Sequence, residues 1–219
     1  MIEPNWKTDK GDFCHNYIKV YEELFNSYKG REINLLEIGI DKGESISLWK
    51  YLLPKACIFG IDLTRECAKY AEGEKVKIFI GNQRDTDFLM RVVEEANGFF
   101  DLIIDDCGHH SSEQIVCFEF LFKYLRDGGM YIVEDAFTSY LPEFTTMTPF
   151  QLEGGLSFVD YSKSLIDDVF MRGKSNTADP KNSEKIRTGE VRLTFMEQNV
   201  SRILYTSGLV CITKKDKLL

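Results

Sequence analysis

Short apolar runs alternate with stretches of helical spacing, and most of the runs stop on an acid. Ile33–Ile38 stops at Gly39, Ala56–Ile61 at Asp62 and Val76–Ile80 at Gly81. Phe99–Ile104 stops at Asp105-Asp106, and Met130–Val133 at Glu134-Asp135. Runs this short and this apolar read as strands buried on both faces. Between them, Ser45–Leu53, Asp85–Ala96 and Ser112–Leu125 place apolar residues three and four apart, as helices do. An earlier helix is expected over Phe13–Tyr28, and Asp127-Gly128-Gly129 is expected to stop the helix before the fifth strand. Strands that alternate with helices imply a parallel sheet with right-handed crossovers. The tail differs. Val191–Phe195, Ile203–Tyr205 and Leu209–Thr213 read as strands, and only Thr206-Ser207-Gly208 parts the last two. A gap that short allows an antiparallel hairpin but no crossover. The fold class is therefore α/β: a mostly parallel, seven-stranded sheet closed by an antiparallel strand.

A chain of 219 residues fits one domain, and 43% apolar content can fill its core. Residues 172–187 are polar and turn-rich and read as an exposed loop. The formal charge is −8, with 35 acidic against 27 basic residues. Duplex-binding surfaces carry the opposite sign, so no nucleic-acid partner is expected. No apolar stretch approaches the ~20 residues of a membrane helix. Neither a signal peptide nor a disulfide framework is visible among the six cysteines, and a cytoplasmic protein is expected.

In open α/β sheets, ligands bind beyond the carboxyl ends of the strands, where these acids fall. In the first turn, Glu37 to Ser45, Gly39 and Gly43 allow close backbone approach and Ser45 can cap the next helix. The turn lacks G-x-G-x-x-G, and its acids Glu37, Asp41 and Glu44 suit a cation better than a pyrophosphate. Asp62 stands where a carboxylate grips a ribose diol. Together these favour S-adenosylmethionine, a sulfonium, over a nicotinamide dinucleotide. Asp106 and Glu134 are one helix and one strand apart, so they sit atop neighbouring strands, with Asp135 beside them. Three clustered carboxylates prefer to share a proton or a cation, and an all-oxygen set suits Mg²⁺ or Mn²⁺. His109 lies at the mouth of the following helix and can accept a proton. His110 reads as an ordinary surface or core residue.

These segments resemble the class I S-adenosylmethionine-dependent, metal-dependent sugar O-methyltransferases of macrolide deoxysugar and surface-polysaccharide biosynthesis. The matching pieces run from Thr8-Asp9-Lys10, His15 and Tyr17 through Leu36-Glu37-Ile38-Gly39-Ile40 and Ser47-Leu48-Trp49. They continue with Gly60-Ile61-Asp62, Gly81 to Asp85, Phe100 to Asp106, Tyr131 to Asp135, Thr138 to Tyr140 and the closing hairpin Val200 to Lys214. The resemblance implies a Rossmann-like class I methyltransferase fold and transfer of a methyl group to a sugar hydroxyl. It makes Asp106, Glu134 and Asp135 the metal ligands, with His109, beside Asp106, as the catalytic base. It puts Glu37, Gly39, Gly43, Ser45, Asp62, Gln83, Asp85 and Asp105 on the cofactor side. Cys107 stands where the family has glycine.

One domain then spans 1–219, with a helical segment over 1–30 and an acceptor-side insertion over 141–189. The expected partners are a small-molecule sugar acceptor, glycoside or nucleotide sugar, and further copies of the chain. Two other readings are open: a dinucleotide-dependent oxidoreductase, and a non-catalytic binding module on a methyltransferase-like fold.

Overall fold

A computed structural model describes residues 8–11, 15–145, 156–170, 188–189 and 192–216. Its sheet has seven strands: β1 (Asn34–Ile38), β2 (Cys57–Asp62), β3 (Val76–Ile80), β4 (Phe100–Asp105), β5 (Leu125–Val133), β6 (Val200–Thr206) and β7 (Leu209–Lys214). Their spatial order is β3-β2-β1-β4-β5-β7-β6. The pairs among β1 to β5 are parallel, and β7 runs antiparallel to both β5 and β6. The order reverses between β1 and β4, which opens a crevice at their carboxyl ends.

Strand period divides the core. Leu35, Leu102, Ile104 and Ile132 point to one face, where they meet Tyr21, Phe25 and Trp49 from α1 (Ile18–Leu24) and its flank and from α2 (Glu44–Leu52). Leu36, Ile103, Tyr131 and Val133 point to the other. There they meet Leu89 of α3 (Thr86–Glu95) and Phe118 of α4 (Ser111–Leu121). The same parity carries past the strand ends. Glu37, Asp106 and Glu134 share the face of α1, whereas Asp105 turns to the face of α4 and accepts from the Tyr131 hydroxyl (2.9 Å).

Several sequence expectations are corrected. Regular helix begins at Ile18 rather than Phe13, because Asn16 takes a left-handed φ of 57°. Residues 12–14 lie outside the described residues. Gly43, at φ 67°, occupies the N-cap position of α2, so Ser45 lies within the first turn instead of capping it. The helix over Ser112–Leu125 is shorter: after α4, a 3-10 turn covers Phe122–Tyr124. Asp127-Gly128-Gly129 is part of β5, not the stop of that helix. The strand expected over Val191–Phe195 is absent where described. Arg192–Thr194 carries no regular structure, and Thr194 caps α8 (Phe195–Asn199) in a capping box with Glu197.

Of the segment 141–189, short helices α5 (Pro142–Thr145), α6 (Phe158–Ser164) and α7 (Ile166–Val169) are described. The loop 172–187 falls outside the described residues except for its flanks. The aromatic residues of the N-terminal helix, Tyr17, Tyr21 and Phe25, are buried, as are Phe118 and Phe122. Cys57, Cys67, Cys107, Cys117 and Cys211 are free thiols.

Candidate active site

A cleft of about 540 Å³ opens at the carboxyl ends of β1, β2 and β4. The turn after β1 forms its floor. The Gly39 N–H extends the ladder to Ile61 O (2.9 Å), and a Cβ at Gly39, where φ is 91°, would overlap the carbonyl of Asp106. Asp62 braces this turn. Its Oδ2 accepts from the N–H groups of Ile40 (2.9 Å) and Asp41 (3.1 Å), and its Oδ1 from that of Thr64 (2.7 Å). Partial burial opposes its ionisation, but the three N–H donors prevail and hold the carboxyl below its usual range. It is a fixed anion at the cleft wall.

Gly39, Ser45, Asp62, Gln83 and Asp106 line the cleft. Glu37 stands behind Ser45, whose hydroxyl donates to Glu37 Oε2 (2.9 Å), while Oε1 is buried without a hydrogen-bond partner. Burial pushes the Glu37 carboxyl up to about 7, against the pull of Lys10. Gly43 packs under the Tyr70 ring, where a side chain would overlap it. Asp85 caps α3, its Oδ1 accepting from Asp87 N and Phe88 N (3.0 Å each). Asp105 lies fully buried beneath Cys107, and burial raises its carboxyl to about 7. Gln83 donates to Glu113 Oε2 (3.1 Å), and Glu113 lines the same wall.

The acid cluster sits next to the cleft. The Asp106 N–H donates to Ile38 O (2.8 Å) and the Glu134 N–H to Asp105 O (2.9 Å), so the ladder itself sets the two acids side by side. Asp135 follows with φ 49°, and His109 with φ 52°. Both are non-glycine residues in the left-handed region, as is Asp41 in the first turn. Such strain persists where the surroundings impose it, and it gathers at functional sites. Thr138 ties the two loops, its hydroxyl reaching His109 O (3.2 Å) and Asp135 O (2.8 Å).

Lys10 binds both Asp106 Oδ2 (2.5 Å) and Glu134 Oε2 (2.9 Å) from a position only 2% exposed. Burial works against its charge, but Glu134, Asp106 and Glu37 together raise its ammonium above the ordinary value. Tyr21 donates to the other Glu134 oxygen (2.5 Å), and Tyr17 to Asp135 Oδ1 (2.8 Å). His109 Nε2 lies 3.6 Å from Asp135 Oδ2. Burial and mutual repulsion push Glu134 upward, and burial does the same to Asp106, with Lys10 opposing both. The cluster crowds more carboxyls than Lys10 alone can neutralise, so without a second cation it holds on to protons that a divalent ion would displace. Ligand atoms of Asp106, His109 and Asp135 all lie within 4.8 Å of one another. Glu134 stands behind them, with both oxygens engaged.

Sequence reasoning on the acids missed their partners. Lys10 entered only as a piece of a resemblance, and Tyr17 and Tyr21 entered as apolar positions of the helix expected over Phe13–Tyr28. Strand parity could have placed Glu37, Asp106 and Glu134 on the side of α1, but nothing local marks which hydroxyls reach the acids.

No protein-family model matches the chain. L-olivosyl-oleandolide 3-O-methyltransferase of Streptomyces antibioticus is 31% identical over 171 residues, 75% of this chain and 44% of that protein. A tetracenomycin-C 3'-O-methyltransferase of Streptomyces olivaceus, acting on the 8-demethyl-8-(2-methoxy-alpha-L-rhamnosyl) compound, is 32% identical over 169 residues, 74% of this chain and 42% of that protein. Mycinamicin VI 2''-O-methyltransferase of Micromonospora griseorubida is 31% identical over 175 residues, with shares of 77% and 43%. The chain thus spans less than half the length of these curated relatives. Among solved structures, MycE methyltransferase of the mycinamycin pathway, in complex with Mg and SAH, superposes with a TM-score of 0.80 at 25% identity. The match covers 96% of this chain and 52% of that one. Its complex with Mg, SAH and mycinamycin VI gives a TM-score of 0.77 with the same identity and coverage.

Proposed function

The chain is a homologue, over most of its length, of sugar O-methyltransferases and has their Rossmann-like class I fold, and from that premise we propose that it methylates a sugar hydroxyl of a glycoside or nucleotide sugar, using S-adenosylmethionine and a divalent metal, Mg²⁺ or Mn²⁺. One observation carries the reading: Asp106, His109 and Asp135, with Glu134 behind them, gather beside a cleft whose floor is the Gly39 turn and whose lining includes Asp62.

The residues fit both groups. For the cofactor, the fit lies in the acidic cleft, whose lining carries Asp41, Glu44 and Asp62 and would favour a cation. Asp62 puts a carboxylate on the cleft lining, toward which a ribose hydroxyl could donate, and Gln83 with Glu113 faces the same space. For the metal, the fit is the uncompensated charge of the acid cluster and its hard oxygen donors. Asp106 and Asp135 would hold the ion, with Glu134 as the third acid. S-adenosylmethionine supplies a methyl carbon on a sulfonium, and a divalent ion supplies Lewis acidity toward the hydroxyl.

The chain's own residues then have three tasks. Asp62 and the Gly39 turn hold the donor in line, and alignment of oxygen, carbon and sulfur supplies much of the acceleration. His109 Nε2 takes the hydroxyl proton as the new C–O bond forms and the C–S bond breaks. Asp135 Oδ2, 3.6 Å from that nitrogen, steadies the imidazolium that results. The dinucleotide alternative fares worse: Asp41 and Glu44, beside the turn after β1, line the cleft where a pyrophosphate would have to lie.

The test is a screen of glycosides and nucleotide sugars with S-adenosylmethionine and Mg²⁺, read by mass spectrometry. A methyl mass gain on a sugar is expected. Cofactor binding without transfer to any acceptor would favour the non-catalytic module instead.

A further inference from the structure

We propose that Tyr17 is a positioning residue for the metal site and that the β6–β7 turn, through Gly208, holds it in place; this rests on the metal-dependent reading above. Asp135 presents its two oxygens to different partners. Oδ1 points inward and accepts from the Tyr17 hydroxyl at 2.8 Å, while Oδ2 points toward His109 Nε2. Oδ2 is thus the oxygen on the side of His109, and ligand atoms of Asp106, His109 and Asp135 lie within 4.8 Å of one another. Tyr17 is 2% exposed, and its ring is stacked on His15 at 5.1 Å with 20° between the planes. His15 Nδ1 in turn lies 3.7 Å from the same Oδ1. Two side chains from the segment before β1 therefore fix which oxygen of Asp135 is turned away from the metal side.

The β6–β7 turn makes this possible. Gly208 has φ 78°, and a Cβ built on it would overlap the Tyr17 hydroxyl and the ring carbon that carries it. Its carbonyl accepts from Ala136 N–H (2.9 Å), the residue that follows Asp135. One glycine thus anchors the backbone beside Asp135 and leaves the slot through which Tyr17 reaches the carboxylate. Residues 17, 135 and 208 are far apart in sequence and act here as one device.

Outer-shell partners of metal ligands set their orientation, and losing one costs ~10–100-fold in metal affinity. Tyr17→Phe removes only the hydroxyl. Gly208→Ala leaves every ligand intact but displaces that hydroxyl. The Mn²⁺ dissociation constant of the full chain, read by electron paramagnetic resonance, is measured for both variants and for the double variant. Tyr17→Phe should weaken Mn²⁺ binding at least ~10-fold, and Gly208→Ala should do the same. The double variant should bind no more weakly than Gly208→Ala alone, because the two changes remove one interaction. S-adenosylhomocysteine affinity, read by calorimetry, should hold steady in Tyr17→Phe, which a merely damaged fold would not allow. Equal Mn²⁺ affinity in Tyr17→Phe and the parent would overturn the inference whatever becomes of Gly208→Ala. A parent protein that binds no Mn²⁺ would overturn it together with the metal-dependent reading, and the two failures are thereby told apart.

Discussion

Glu37 shows how burial turns an ordinary side chain into an instrument. The Glu37 carboxyl sits near 7 because burial disfavours its charge, with Lys10 opposing. The fold therefore favours the protonated form. That contribution to stability is complete below the ordinary value of 4.5 and is lost as pH rises through about 7. Glu37→Gln should remove the dependence, and urea unfolding across this window should show parent and variant diverging by up to roughly 3 kcal/mol. Parallel curves would mean that Lys10 compensates the charge fully. His109→Ala should lower turnover by ~10²–10⁴-fold while Mn²⁺ binding stays within a few-fold. If Mn²⁺ affinity collapses in step with turnover, the imidazole is a ligand, as its distances to Asp106 and Asp135 also permit. At this scale the sequence was informative about which residues gather, because each acid ends a readable strand. It was silent on Lys10 and Tyr21, whose partners lie 96, 124 and 113 positions away.

Turns and caps decide what the elements can present. Asp62 joins the end of β2 to the turn after β1 through the N–H groups of Ile40 and Asp41. Asp62→Ala should weaken S-adenosylmethionine binding by about 1–3 kcal/mol, from lost charged hydrogen bonds and a loosened turn. Calorimetry that finds unchanged affinity would remove Asp62 from the cofactor site. Asp85 serves a different element. Because its Oδ1 is engaged by the first turn of α3, Asp85→Ala should cost about 0.5–2 kcal/mol of stability. Cofactor affinity should change little, and a marked loss would restore Asp85 to the cofactor side. The elements misread from sequence have local causes. Residues 191–195 alternate like a strand, yet the capping box of Thr194 and Glu197 outcompetes that pattern and starts α8. Ser45 has the chemistry of a cap, but Gly43 alone takes the left-handed conformation the turn requires there. Its hydroxyl goes to Glu37 instead.

The topology of the whole molecule was the most legible level. Helical spacing between buried runs forces parallel crossovers, and the short gap at Ser207-Gly208 forces the hairpin that closes the sheet. That order brings the ends of β1, β4 and β5 together, so acids spread over a hundred residues meet at one crevice. The segment before β1 supplies Lys10, Tyr17 and Tyr21, whose bonds to these acids no periodicity announces. The central claim is that these acids form a divalent-metal centre on which methyl transfer depends. It is tested most directly by transfer from S-adenosylmethionine to an acceptor found in the screen, before and after exhaustive chelation. The account predicts that EDTA abolishes transfer, that Mg²⁺ or Mn²⁺ restores it, and that Asp106→Asn cannot be restored while still binding the cofactor. Undiminished transfer after complete removal of divalent ions would contradict it.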